Sequence, residues 1–387
     1  MTTLIIGIDA SNIITGGGIT HLNELLKSID STFLPVKEII IWGGKSTLAK
    51  IQANNKTHFS HQPLLDSTYS HRYFWQKYKL EKLAHQAKID ILFVPGGYYP
   101  GKFRPYVTMS QNLTPFEPST KKLYGLSLIR LRLFLLKLLQ TSTFKSAAGT
   151  VFLSNYAKER VLNQIPVKFK SVIVPHGVDS KFFRKPRKQK EPNEYSSSKP
   201  FKFLYISIID MYKHQWTVLE AFSDLKQRNL PVSIDFVGPS YKYALKKFHK
   251  AKANLDPENR FSSYLGEKNH EELLKLLENY DGFIFASSCE TFGLILLEGM
   301  AAGFPIACSN RSAMPEILKD AGFYFDPEAK QSIVNALEEM LNSPKEREIR
   351  AQKAFEYAKN YSWEKCAQDT FKFIQDAYSD YKSEQKH

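Results

Sequence analysis

Asp281-Gly-Phe-Ile-Phe-Ala-Ser-Ser-Cys-Glu-Thr-Phe-Gly-Leu-Ile-Leu-Leu-Glu298, continued by Gly299-Met-Ala-Ala-Gly-Phe-Pro305, is the stretch on which the reading of this chain turns. Gly282 to Ala286 is an apolar run of strand length, a polar loop follows, and Gly293 to Ala302 is apolar on every side like a buried helix. Pro305 to Cys308 reads as the next strand. Strand, loop, helix, strand is the repeating unit of a parallel sheet covered by helices. Glu290 falls in the loop and Glu298 inside the helix. The spacing alone is weak, since an acid near a helix N-terminus is electrostatically favoured and a helical glutamate is usually solvated. Glu298, however, sits in a mostly apolar helix, where a charge normally has a partner.

The same alternation extends outward in both directions. Leu4 to Ile8 reads as a buried strand, Gly16-Gly-Gly18 as a glycine loop and Ile19 to Ile29 as a helix; Ile39 to Trp42, Ile89 to Val94, Val151 to Leu153 and Ser171 to Val174 are further strand candidates, with a helix over Tyr73 to Ala87. Lys181 to Lys190 is strongly basic and Glu191 to Pro200 is rich in Ser, Pro and Glu, the composition of a flexible linker. Beyond it Phe203 to Ser207 and Val232 to Val237 read as strands, with helices near Trp216 to Asn229, Tyr241 to Ala253 and Lys330 to Leu341. The expected organisation is an α/β chain with a first domain over 1–180, a linker over 181–200, a second domain over 201–360 and a terminal helix over 361–387.

Bulk properties narrow the class. A length of 387 residues favours two domains. With 43% hydrophobic and 24% charged residues, neither a disordered chain nor a membrane-embedded body fits. Lys and Arg number 53 against 39 Asp and Glu, giving +14, a field that attracts nucleic acid, anionic lipid or phosphorylated ligands. Cys289, Cys308 and Cys366 lack metal spacing and read as buried reduced thiols, which suggests the cytoplasm. The start has no signal-peptide pattern, and no run reaches the ~18 apolar residues of a spanning helix.

Ligands of open α/β sheets bind beyond the carboxyl ends of strands, where loops enter helix N-termini. Phe292, Gly293 and Leu294 offer backbone amides there that suit a diphosphate. A carboxylate accepts two hydrogen bonds from vicinal hydroxyls, so Glu298 suits a ribose diol and Glu290 the hydroxyls of a sugar. In this context Glu290 and Glu298 form the E-x7-E of family 4 of the retaining glycosyltransferases, which the chain resembles. Val174-Pro-His-Gly-Val-Asp179, Phe236-Val-Gly238, Tyr264-Leu-Gly266, Met314-Pro-Glu316 and Tyr361-Ser-Trp363 carry the resemblance further.

The resemblance implies a GT-B fold: two Rossmann-like domains with parallel sheets face each other across a cleft, and the C-terminal helix crosses back to the first. It implies a nucleoside diphosphate sugar as substrate, held mainly by the second domain, and transfer with retention to a glycan or lipid-linked acceptor in cell-surface polysaccharide assembly (O-antigen, capsule or exopolysaccharide). Glu290 and Lys213 take the catalytic positions, and Glu298, Phe292, Gly293, Leu294, Gly266 and Ser207 the donor site. Lys213 matches the lysine of the family's cationic clamp, whereas Ser207 and Ile208 stand where its arginine would be. Gly17 and Gly18 match the N-terminal loop that approaches phosphate, and Gln111 and Asn112 are sugar or acceptor contacts. His176 reads as structural. No D-x-D motif occurs, so no metal or other cofactor is expected. Rival readings are an epimerase or phosphorylase of similar architecture and a basic nucleic-acid-binding protein, the latter without a recognition motif. The leucine-rich, basic segment from Lys121 to Leu139 adds a possible peripheral contact with anionic membrane, on the inner face of the cell membrane.

Overall fold

The computed structural model describes residues 3–14, 16–29, 36–165 and 169–385. Two compact units emerge. The first comprises the chain up to Lys121, Gly125–Gly177 and everything from Tyr361 on; the second comprises Lys122–Tyr124 and Val178–Asn360.

The first unit is built on a seven-stranded sheet in the order β3-β2-β1-β4-β5-β6-β7. Its strands are β1 (Leu4–Asp9), β2 (Val36–Gly43), β3 (Thr57–His61), β4 (Ile91–Val94), β5 (Tyr106–Met109), β6 (Gly149–Phe152) and β7 (Ser171–Ile173). Every pairing is parallel, and Ile6 sits in register with Ile39 on one side and Ile91 on the other. Central strands such as Ile91–Val94 are buried at every position, as expected of a sheet covered on both faces. The order reverses direction between β1 and β4, which is where such a sheet opens a crevice.

The second unit repeats the plan with six strands ordered β10-β9-β8-β11-β12-β13. They are β8 (Phe201–Ile206), β9 (Val232–Val237), β10 (Ser262–Tyr264), β11 (Gly282–Phe285), β12 (Ile306–Ser309) and β13 (Gly322–Phe325), again all parallel. Here the reversal falls between β8 and β11. The two Rossmann-like sheets match the α/β architecture expected from the sequence.

Three local expectations change. The helix expected over Tyr73 to Ala87 is two helices, Tyr69–Tyr78 and Leu80–Gln86, meeting at Lys79. Strands β3, β5, β10 and β13 lacked a clear pattern; β3 is half exposed and β10 has three residues. The segment read as a flexible linker is pinned to the second unit. Arg187 donates to the carbonyls of Leu277 (3.1 Å) and Glu278 (2.9 Å), Arg184 donates to that of Leu274 (2.9 Å), and the buried Arg347 reaches Gln189 Oε1 (3.0 Å) and the Lys190 carbonyl. Guanidinium forks on backbone carbonyls fix a segment that composition alone would leave loose.

The terminal helix Trp363–Glu384 belongs to the first unit. Ser362 caps it by accepting from Lys365 N (3.1 Å), and Trp363 packs on the imidazoles of His176 (5.4 Å between centroids) and His21 (6.1 Å). A Cβ on Gly177 would lie 2.2 Å from Trp363 N, so only glycine admits this approach. Cys366 joins the two histidines, with ligand-type atoms within 4.8 Å of one another. Burial pushes His176 down to about 3 and the Cys366 thiol up to about 12, so the knot is a neutral packing joint at ordinary pH.

Candidate active site

The second unit's site grows from the two strand ends at its reversal. After β8 the chain runs Ser207-Ile-Ile-Asp-Met-Tyr-Lys213 and enters the helix Gln215–Gln227 through His214, whose φ is 51°. After β11 it runs through Ser287 and Ser288 to Glu290. The two loops are bound together: Ser288 N donates to the Tyr212 carbonyl (2.9 Å), and His214 Nε2 meets Ser288 Oγ (2.8 Å). Burial lowers the His214 imidazole to about 4, which keeps it neutral in this bond.

This scaffold brings Lys213 and Glu290 together as an ion pair, 77 residues apart in sequence. The Lys213 side chain is 6% exposed, and its ammonium lies 5.0 Å from the Tyr212 ring centroid and 5.1 Å from that of Phe285. The Lys213 backbone is held by Tyr205 OH donating to its carbonyl (2.5 Å). Glu290 is fixed by Ser312, which accepts from Glu290 N (2.8 Å) and donates to its carbonyl (2.7 Å). Sequence reading missed Ser312 because nothing local marks it.

Glu298 lies in the helix Leu294–Ala301, which starts at Gly293 with φ 97° and has no side-chain cap. A Cβ there would meet Met314 Cε at 2.8 Å as well as suffer the backbone strain. An uncapped N-terminus leaves the first N–H groups to a ligand or solvent. Glu298 is half-buried, and its carboxylate makes no hydrogen bond among the described residues. Desolvation, with Asp179 adding charge of the same sign, pushes its carboxyl up to about 8. Among the described residues the carboxylate thus has no partner, and its oxygens are left to accept from solvent or a ligand.

Ser207 is buried and engaged: Gln215 Nε2 donates to its Oγ (2.9 Å) and to the Ile208 carbonyl (2.9 Å). Gly266, φ 69°, is tied to the end of β9 by Gly238 N donating to its carbonyl (2.8 Å). Asp210, unmarked in the sequence, is buried and accepts from Met211 N (2.7 Å), Tyr243 OH (2.6 Å) and Tyr124 OH (3.2 Å). It fixes the loop before Lys213.

In the first unit, Gly17 and Gly18 open the helix Gly17–Ile29 rather than precede it. A Cβ on Gly18 would lie 3.3 Å from Gln111 Oε1, so these two candidates are neighbours. Gln111 Nε2 faces Met109 Sδ (3.1 Å) and His21 Nδ1 (3.5 Å). Asn112 is exposed, and its Oδ1 accepts from Thr114 N (3.0 Å) in a local turn. Around the ends of β1 and β4 lies a cluster the sequence did not reveal. Asp9, buried, accepts from Ser11 N (3.0 Å) and Gln76 Nε2 (2.5 Å), and Tyr98 OH donates to Asn12 Oδ1 (3.2 Å). Ser11 Oγ, Asn12 Nδ2 and Gln76 Oε1 are buried there, as is Ser110 Oγ just after β5, without a protein partner among the described residues. Such groups are uncommon in native folds and mark a place for solvent or ligand.

Comparison with known proteins bears on the family and the fold. Residues 186–357 match the model of glycosyl transferases group 1. The O-antigen chain mannosyltransferase B of Escherichia coli is 36% identical over 107 residues, which is 28% of this chain and 28% of that protein, so the chain spans little more than a quarter of this curated relative. Among solved structures, sucrose-phosphate synthase from Thermosynechococcus elongatus superposes with a TM-score of 0.79 over 97% of this chain and 99% of its own, at 14% identity. An Anabaena protein, Alr3699/HepE, solved with UDP-glucose, gives 0.69 over 97% of this chain and 100% of its own, at 16% identity. Residues 186–357 belong to glycosyl transferases group 1, and the chain as a whole has the GT-B fold of two Rossmann-like units.

Proposed function

We propose that the protein transfers a glycosyl group from a nucleoside diphosphate sugar to a hydroxyl of a glycan or lipid-linked acceptor, with retention at the anomeric carbon, in cell-surface polysaccharide assembly. The observation that carries this reading is the pair of the buried Lys213 with the partly exposed Glu290 at the strand reversal of the second unit, followed by an uncapped helix bearing Glu298, whose carboxylate has no hydrogen bond among the described residues. In this reading the diphosphate meets the Lys213 ammonium and the amides of Phe292 to Leu294. Glu290 holds sugar hydroxyls and Glu298 the ribose diol. As the diphosphate leaves, charge grows on its oxygens, and a fixed cation and helix N-terminus stabilise it without reorganisation. The leaving phosphate accepts the acceptor's proton, so same-face attack needs no enzymatic nucleophile. Lys213 and the amides act where a divalent cation otherwise would, and no metal or other cofactor takes part. The first unit, with Gln111, Asn112 and the neutral polar cluster near Asp9, holds the acceptor.

Two named relatives support the substrate class: one is an O-antigen mannosyltransferase and the other was solved with UDP-glucose. Three buried thiols fit a cytoplasmic setting, and we assign the protein to the inner face of the cell membrane, with no nucleic acid as partner. The test is a transfer assay over a panel of sugar nucleotides and polysaccharide-repeat acceptors, with the product anomer read by NMR. A product of retained configuration, formed only with acceptor, is expected. Interconversion of the sugar nucleotide without acceptor would instead make the chain an epimerase.

A further inference from the structure

We infer that the exposed side of the helix Leu128–Ser146, with Tyr69 at its edge, docks on an anionic lipid bilayer. The helix Leu128–Ser146 is apolar on two opposite sides. One side, with Leu133, Gln140, Thr143 and Phe144, is packed into the unit. The other is open: Leu128 is 84% exposed, Leu131, Phe134, Leu135 and Leu138 are each more than half exposed, and Leu126 just before the helix is 99% exposed. At about 100° per residue these five helical side chains fall within an arc of roughly 120°, with Arg130 about 40° beyond one edge and Arg132 about 40° beyond the other. An ordinary amphipathic helix of a folded domain has one apolar face and it is buried. The second apolar face, bordered by arginines, is what a helix lying in a lipid interface presents.

A tyrosine of a second helix borders the face. The Arg132 guanidinium lies 4.5 Å over the ring of Tyr69, an exposed residue that begins the helix Tyr69–Tyr78 and sets one aromatic side chain at the edge of the face. Tyrosines with an apolar body and a polar tip suit the headgroup level. The apolar arc is confined to the first three turns of the longer helix, since Ser142 and Lys145 occupy the arc after Leu138. Insertion is therefore shallow, and no helix described here is long and apolar enough to cross a membrane.

Charge selects the occupant. Residues 118–146 hold Lys121, Lys122, Arg130, Arg132, Lys137 and Lys145 and no acidic residue. A second copy of the same face would oppose arginine with arginine, whereas an anionic bilayer offers both the opposite charge and an apolar interior. Lys137 is excluded from the contact: it donates to Gln164 Oε1 (2.6 Å) on the packed side. This surface rests on no assumption about sugar nucleotides.

The test is co-sedimentation of the full chain with vesicles of phosphatidylglycerol in phosphatidylcholine, against phosphatidylcholine alone, without any sugar nucleotide. The wild type is expected to partition onto the anionic vesicles and to release with rising salt. Arg130→Gln with Arg132→Gln should weaken partitioning about tenfold or more, at roughly 1 kcal/mol for each charge near the surface. Leu128→Ser with Leu135→Ser should weaken it comparably while leaving circular dichroism unchanged, because both side chains are exposed. Indifference of the wild type to anionic vesicles at low salt would overturn the inference. So would binding untouched by both pairs, or a solution dimer that the leucine substitutions dissociate. None of these outcomes bears on the donor site.

Discussion

At the ends of β8 and β11 the second unit presents charge: a buried Lys213 paired with Glu290, an uncapped helix N-terminus and a carboxyl, Glu298, held up to about 8. At the ends of β1, β4 and β5 the first unit presents neutral polarity: Gln76, Ser11 and Asn12 by a buried Asp9 whose own pKa is raised by desolvation, and Ser110 and Gln111 after β5. The sheets have the same plan, but their rims have different chemistry. Charges placed in advance suit a ligand whose charge is fixed and whose reaction creates more of it, as a diphosphate does. Neutral donors and acceptors suit hydroxyls, which need direction rather than field. The division predicts that substitutions in the second unit change donor handling and the chemical step, and those in the first change the acceptor.

The largest effect is expected at Lys213. Lys213→Ala should lower turnover about 10²–10³-fold, the usual consequence of removing a group that stabilises developing charge. It also leaves Glu290, 18% exposed, without its partner, at a cost below the about 3–5 kcal/mol of a fully buried pair. The double variant Lys213→Met with Glu290→Gln should recover much of that stability and none of the turnover. Denaturant titration alongside steady-state rates separates the two, and turnover recovering in step with stability would mean the pair is structural only.

Glu298 sharpens the comparison through pH. Its folded pKa, about 8, lies above the ordinary 4.5. Between those values the folded state binds more protons than the unfolded state, so stability of the unliganded protein falls as pH rises from about 4.5 to about 8. Glu298→Gln should flatten that slope, by up to a few kcal/mol at the alkaline end. Donor hydroxyls that bond to the carboxylate favour its charged form. Binding below pH 8 should therefore release protons, seen as a calorimetric enthalpy that depends on buffer. The same substitution should weaken donor binding by about 1.5–3 kcal/mol. Linker lysines such as Lys188 should be silent in this assay.

Gln111→Ala carries a smaller expected effect, about 1 kcal/mol or fivefold in the KM for acceptor, with donor affinity unchanged. A shift in donor affinity alone would dissolve the division between the units. Chelation of divalent metal should change turnover least of all; complete loss, restored by magnesium or manganese, would add a cation to the donor site.

The second unit was the more legible half because its signals are local. The run from Gly282 to Glu298 shows strand, loop and helix in sequence order, and Lys213 is marked by its place after a strand. The ion pair itself was not legible, since Lys213 and Glu290 come from different strand ends and only the order of β8 beside β11 makes them neighbours. The polar cluster of the first unit was hidden for the same reason: Asp9, Gln76 and Tyr98 are brought together by a strand, a helix and a loop with no common pattern. Composition misled at Lys181 to Pro200, where basic residues that look like a solvated tether are spent on backbone carbonyls. The exposed face of Leu128–Ser146 was half legible, as its leucines show but the side they face does not.

The central claim is that the charged rim of the second unit holds a nucleoside diphosphate sugar. Isothermal titration of the purified chain with a panel of sugar nucleotides, repeated on a folded Lys213→Met, Glu290→Gln variant, tests it most directly. The account predicts saturable binding of at least one sugar nucleotide to the wild type and a loss of about tenfold or more in the variant, as expected for charged hydrogen bonds. Equal affinity in the two proteins, or no binding of any sugar nucleotide to a folded wild type, would contradict it.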